Sequence, residues 1–435
     1  KTLHQEPVVT KSWFHTGAFI GIEKILSQFA NDYWYEEMQR RGFTVSNPET
    51  PLKDARLIVA PGLDASILDH LSFDEWREAL RACKSMGLRS EVFARDASRF
   101  GNTEAAKKKE LTPYSVATHN CVIELLQPKG QNQYAIFLVK ESEAITYGYE
   151  RDTEDPRIAH TLNIKLDEYG NILESASVVY PRKKTDTSLP PETQAAQNQT
   201  LITYTHNRFT NDIVTDDSYR LRLPSETATY ELKGVEKRKS LYSVSDFEAI
   251  LTSTADVEYH QIDVNPASGS AQKRLIEHVC TLYRGNNLTT PLPLHQLESL
   301  VLPFESYQLA YTPNLLTDLY AGKVDSTLML EGKFTQFGGD GNWWIRSGTT
   351  QYIDAAENAV DAQNRFYAPI SYTDPYGAKT KVKYYSNYFL FIEETEDALG
   401  NQQKVDQFNF RTLAPRRMLD ANHNLSEVMT DELGF

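Results

Sequence analysis

Any chemistry in this 435-residue chain would fall to its ten histidines, three cysteines, 59 acidic side chains and the adjacent pair Trp343-Trp344. None of the histidines stands in an HExxH or other metal-ligand spacing. Cys83, Cys121 and Cys280 contain no CxxC, so neither a zinc site nor a redox motif is written here. An odd, dispersed set of cysteines also argues against a disulfide framework. His119 and Cys121 are two apart, which on a strand places them on one face; a thiol–imidazole nucleophile needs a third orienting group, and none is evident. His15, beside Trp13 and Phe14, reads as a packed histidine bonded to backbone. Gly338-Gly-Asp-Gly341 lacks the Lys-Ser/Thr of a phosphate loop. With Asn342 it also lacks the alternating acids and closing Glu of a calcium loop, so it reads as a tight turn. Trp343 and Trp344 would suit a sugar platform, but strand neighbours face opposite sides, which puts at least one ring in the core. A glycosidase needs two carboxylates at a set separation in a cleft, which spacing along a chain does not reveal. From the residues alone no catalytic, cofactor-binding or metal-binding position is assigned.

The elements that would position these groups are mostly strands. The chain holds 24 Tyr, 19 Phe and 5 Trp, and aromatics favour large packed sheets. A net charge of -14 argues against nucleic acid and against an anionic membrane surface as direct partners. No window is apolar enough for a membrane-spanning helix, and the start at Lys1 is not a signal peptide; the chain reads as an internal fragment. Residues 1–110 mix helices with strands. Ile22, Ile25, Leu26, Phe29 and Tyr33 recur at helical spacing, and Ser72-Phe-Asp-Glu75 is a capping box before Trp76, Ala79, Leu80 and Cys83. Cys83 on that stripe reads as a buried structural thiol. Residues 111–330 read as β-rich. Tyr134–Val139 is a buried strand candidate, while Leu162, Ile164, Leu166 and Tyr219, Leu221, Leu223 alternate as half-buried strands. Residues 183–200 form a loop or insertion. Short helices are expected after a second box, Ser245-Asp-Phe-Glu248, over Thr312–Tyr320, and near Ala355–Ala362.

Residues 331–435 carry a repeat. Asp374-Pro-Tyr-Gly377, Asp397-Ala-Leu-Gly-Asn401 and Asp420-Ala-Asn-His-Asn424 begin 23 residues apart, and Asp431-Glu-Leu-Gly434 follows. Val382, Val405 and Val428 hold the same register. An earlier copy is Asp167-Glu-Tyr-Gly-Asn171. An aspartate can accept from backbone N–H groups two residues on, and Gly170, Gly377, Gly400 and Gly434 can take positive φ without strain. His423 stands where the other copies have Gly, which reads as a slightly strained turn. Thr380, Val382 and Tyr384 then face one way and Lys379, Lys381 and Lys383 the other. Such a unit buries its apolar face only when copies stack.

These turns resemble Rhs/YD repeats. The text between them is more specific: Lys11-Ser-Trp-Phe-His-Thr-Gly17, Glu91-Val-Phe-Ala-Arg-Asp96, Pro113-Tyr-Ser-Val116, Tyr149-Glu-Arg151 and Asp155-Pro-Arg-Ile-Ala-His160, then Leu223-Pro-Ser-Glu226, Gly341-Asn-Trp-Trp-Ile-Arg-Ser-Gly348 and Arg411-Thr-Leu-Ala-Pro415. In that order, over about 11–435, they resemble the middle and C-terminal region of Tc insecticidal toxin B components. The resemblance implies a mainly β fold, a segment of a large curved Rhs/YD-type shell with a few inserted helices. It implies a wall around the toxic payload of the C component, in a secreted complex or at the bacterial surface. It implies partnership with the C component and, through a propeller outside this fragment, with the pore-forming A component. The family's self-cleaving aspartyl site has no match here, so no enzyme activity and no cofactor are expected. The stretches near Ala355–Ala362 and Gln28–Arg41 depart from the family pattern. Two other readings stay open: a carbohydrate-binding or carbohydrate-acting β protein, and an Rhs adhesin without a Tc pore.

Overall fold

The computed structural model describes residues 6–434 except 19–24, 27, 46–48, 236–240, 263–265 and 267–269; Ile22 of the expected first helix lies outside the described residues. The chain forms two compact units, Lys1–His206 with Thr229–Leu275 and Asn207–Ala228 with Ile276–Phe435. The change of hydrophobic period near residue 111 reports local element type, whereas compact units arise from non-local packing, and the two do not coincide.

In the first unit the principal strands are β1 (Val8–Phe14), β2 (Arg56–Val59), β3 (Gly87–Ala94), β4 (Ser115–Gln127), β5 (Ile136–Gly148), β6 (Arg157–Leu166), β7 (Ile172–Val179) and β8 (Leu201–Phe209). They order as β1-β3-β4-β5-β6-β7-β8, each antiparallel to the next, while β2 joins β4 in parallel. Helix α1 (Trp34–Arg40) drops Trp34 and Met38 onto Phe93, Val116, Ile145 and Tyr147. Helix α2 (Phe73–Ala82) begins at the Ser72/Glu75 capping box, as its sequence predicts, and packs Ala79 and Leu80 with Cys83, Cys121 and Ile123. Two short helices, α3 (Glu104–Leu111) and α4 (Pro191–Gln197), lie on loops; α4 occupies the stretch read as a surface insertion. Helix α5 (Val244–Ser253) buries Phe247 against Leu162, Val178 and Ile202.

Several expectations shift. The helical spacing after Ile25 gives only a short turn at Ala30–Asp32 before α1. The second capping box is Ser243/Asp246, two residues before the expected Ser245/Glu248, because Asp246 serves as the reciprocal acceptor for Ser243. Asn163, expected on the wet face, is buried, and its amide donates to the Glu141 carbonyl of the neighbouring strand at 2.9 Å. Tyr134 is exposed, and its strand starts at Ile136.

The second unit contains residues 224–228 of β9 (Pro224–Lys233), residues 276–284 of β10 (Gln272–Arg284), and β11 (Leu302–Tyr311) and β12 (Trp343–Arg346). Strand β11 lies between β10 and β12, antiparallel to both. The expected half-buried strand 219–223 is instead an exposed two-residue rung, Tyr219–Arg220 against Ile213–Val214. Helices α6 (Pro313–Tyr320), α7 (Ser326–Glu331) and α8 (Ala359–Asn364) follow Thr312, Asp325 and Asn358 caps. A separate sheet closes the unit: β13 (Thr349–Gln351), β14 (Ser371–Thr373), β15 (Lys379–Tyr384), β16 (Ile392–Glu396), β17 (Gln402–Asn409), β18 (Ala414–Leu419) and β19 (Leu425–Glu427), in plain meander order.

Candidate functional site

The repeat turns link the strands of this last sheet. Asp397 joins β16 to β17: its Oδ1 accepts from Leu399 N and Asn401 N at 2.9 Å each, and Asn401 Nδ2 donates to Oδ2 at 2.8 Å. Asp420, between β18 and β19, repeats this with Asn422 N at 2.8 Å, Asn424 N at 2.7 Å and Asn424 Nδ2 at 2.9 Å. Asp374, between β14 and β15, accepts from Tyr376 N and Ala378 N, and Asp431 from Leu433 N. Asp167, between β6 and β7 of the first unit, has the same three bonds to Tyr169 and Asn171. Gly170, Gly377, Gly400 and Gly434 all take positive φ, and so does His423 at 62°. Bonds from Asn401 and Asn424 hold the Asp397 and Asp420 carboxyls below the usual carboxylate range. A stack of Tyr385, Phe391 and Phe408, with ring centroids 4.8 and 3.7 Å apart, crosses the sheet. The turn carboxylates are taken up by hydrogen bonds within their own turns.

The polar groups flagged in the sequence do not assemble. The register shift between Asn120 and Cys121 passes over Ser142 on β5 and leaves β4 unbroken there, so His119 and Cys121 share a face as expected but take different partners. His119 Nδ1 lies 2.6 Å from Glu141 Oε1, while Cys121 is buried against Cys83. The hydrogen bond with the neighbouring Cys83 thiol, with burial, pushes the Cys121 thiol far up. His15 is buried, accepts from Gly17 N at 3.0 Å and meets Gln28 Nε2 at 3.2 Å. Trp343 and Trp344 are both buried, the latter edge-on to His278 and Phe337, so neither offers a stacking platform. Asp340 closes its turn on Asn342 at 2.9 and 2.7 Å.

A cavity of about 390 Å³ lies in the first unit, lined by Tyr33, Leu52, Arg89, His119 and Tyr147 among others. Its one buried cation is already committed. Arg89 bonds Glu91 at 2.8 Å and Glu49 at 2.6 Å, with the Tyr33 ring 4.3 Å from its guanidinium.

The constellation that the sequence reading missed is in the second unit. Glu226 on β9 faces His278 and Cys280 on β10. His278 Nε2 lies 2.8 Å from Glu226 Oε1 and 3.8 Å from Cys280 Sγ. His295 Nε2 is 3.2 Å from Glu226 Oε2, and its Nδ1 is 2.8 Å from Ser225 Oγ. The His278 hydrogen bond holds Glu226 below the usual carboxylate range. Burial, with Glu226 adding to it, pushes the Cys280 thiol up to about 12. Ser225, His295 and Glu226 superficially form a nucleophile–base–acid line. Ser225 is only 2% exposed and donates to the Arg208 carbonyl at 3.1 Å, so no substrate reaches it. The cue available in the sequence was His278-x-Cys280 on an unbroken strand, the same pattern that draws attention to His119 and Cys121.

Residues 78–223 match the family model of the insecticide toxin TcdB middle/C-terminal region. Among solved structures, the TcdB2-TccC3-Cdc42 complex aligns over 99% of this chain at TM-score 0.63 and 19% identity. Its fold is that of the Tc toxin B component. TcdB2-TccC3 and a Photorhabdus luminescens Tc holotoxin pore with mutated TccC3 align equally far, each at TM-score 0.62 and 20% identity. The resemblance drawn from the ordered Tc B motifs is borne out, and so is the mainly β fold class. This chain spans 19% of the length of those solved chains. No curated protein matches it significantly. Among the described residues no helix is long and apolar enough to cross a membrane.

Proposed function

We propose that this chain is a structural wall segment of a secreted Tc toxin B component, enclosing the toxic payload of a C component for delivery through an A-component pore. The observation that carries the reading is the match of fold across 99% of the chain to TcdB2 in complex with TccC3. The repeat sheet supports it. Its Asp-capped turns give a meander that can continue strand by strand, and Leu399, Leu413, Met429 and Leu433 stand more than 70% exposed, awaiting cover. The role proposed is non-enzymatic, in keeping with the match to a Tc toxin component. Contact with the pore falls to a propeller outside this segment, and neither nucleic acid nor membrane is a direct partner. The buried tryptophans leave the carbohydrate reading without its platform.

The test is co-purification of the full-length parent protein with a C-type partner, followed by protease challenge. A stable complex in which the payload resists digestion is expected. Failure to form a complex, or payload digestion as fast as in the free C component, overturns the proposal.

A further inference from the structure

We infer that Glu226, His278 and Cys280 form a zinc site that ties β9 to β10 in the second unit. The three ligand atoms lie within 4.8 Å of one another, one oxygen, one imidazole nitrogen and one sulfur, which is a donor set that zinc accepts. Tetrahedral zinc with bonds of about 2.0–2.3 Å separates its donors by about 3.3–3.7 Å. The 3.8 Å between His278 Nε2 and Cys280 Sγ is just beyond that spacing and needs only a small closure. The 2.8 Å between His278 Nε2 and Glu226 Oε1 is a hydrogen bond that must open by about half an ångström.

The surroundings suit an ion. His278 and Cys280 sit two apart on one strand, so their side chains share a face, and β9 brings Glu226 opposite. His295 holds the second oxygen of Glu226, and Ser225 orients His295 in turn, which is the outer support that metal-bound carboxylates require. His295 keeps a left-handed φ of 66° to do so. The Trp344 ring packs on the His278 imidazole and fixes its orientation. Glu226, His278 and His295 are 15–31% exposed, leaving a route in from solvent and room for a water as fourth ligand. Zinc binds as the thiolate forms: the Sγ–H bond breaks, the Zn–S bond forms, and the proton leaves to solvent. The ion then stabilises this unit by mass action.

The experiment is titration of the full chain, thiols reduced, with Co²⁺ as a visible stand-in for zinc. One ion per chain is expected, with thiolate-to-cobalt charge-transfer absorption, tetrahedral ligand-field bands, and displacement by Zn²⁺. Cys280→Ser should abolish the charge-transfer band although Cys83 and Cys121 remain. Glu226→Gln and His278→Gln should each weaken binding at least tenfold, and His295→Ala about 10–100-fold as an outer partner. Absence of the band in the unaltered chain overturns the site, and so does its survival in Cys280→Ser. If Cys280→Ser fails to fold, unchanged Co²⁺ affinity in both Glu226→Gln and His278→Gln overturns it equally.

Discussion

The first unit and the terminal repeat sheet are both antiparallel, yet they are held in opposite ways. In the first unit charge goes inside: Arg89, Glu91 and Glu49 form a buried triad, Lys140 pairs with Glu124, and Arg151 grips Asp96 through two bonds. The strands β13–β19 bury only Ser371 among their described residues. Their ion pairs, such as Lys381 with Glu396 at 2.6 Å, lie at the surface. Order there comes from turns and from one aromatic stack. A region that closes its own core is complete by itself. On the proposed wall reading, a region that fixes register locally and leaves its apolar residues outside is covered by neighbouring strands.

The contrast can be broken most sharply at Arg89. Arg89→Ala would strand Glu91 and Glu49 without a counter-charge, and a loss of about 3–5 kcal/mol is expected by chemical denaturation. A loss under about 1 kcal/mol would mean that the triad is not holding the first unit. Next comes Gly400→Val. Nothing lies within 4 Å of the added Cβ, so the substitution isolates backbone strain at φ +82°, and about 1–3 kcal/mol is expected, confined to the 397–401 turn. Hydrogen exchange should speed up there and not in β4 or β5; an unchanged melting profile and exchange pattern would show the turn does not set register. Acid comes third. Hydrogen bonds depress the folded-state values of Asp397 and Asp420, so their contribution is present above the unfolded carboxylate value of about 4 and is lost as pH falls through the folded ones. Amide protection factors, corrected for intrinsic exchange at each pH, should fall in residues 397–401 and 420–424 below about pH 4; equal protection factors at pH 3 and 6 would count against the capping aspartates. The smallest effect is expected at Lys381→Ala, within about 1 kcal/mol because the lysine side chain is 60% exposed. A loss as large as that for Arg89→Ala would erase the distinction between the two regions.

What the sequence revealed depended on how local the cause was. The Asp-x-x-Gly turns were readable because each bond runs from a side chain to a backbone group two or four residues on. The Ser72/Glu75 box was readable for the same reason. The capping box lies at Ser243/Asp246, two residues before the expected Ser245/Glu248, because two overlapping Ser-x-x-acid patterns compete for one helix start. Non-local events left no local mark. The partners that His119 and Cys121 take, Glu141 and Cys83, are visible only once β5 is paired with β4 and α2 is packed on the sheet. Glu226, His278 and Cys280 meet only because β9 and β10 bring distant segments together, so the pair that mattered had no third letter nearby. For Trp343 and Trp344 the alternation argument put at least one ring inside, and both faces of β12 turn out to be covered.

The most direct measurement is an electron cryomicroscopy map of the full-length parent protein assembled with its C-type partner. A wall segment requires β13–β19 to continue laterally into further strands, with Leu399, Leu413 and Met429 covered and the payload density enclosed. A map in which this sheet ends in solvent, with no lumen beside it, would contradict that role.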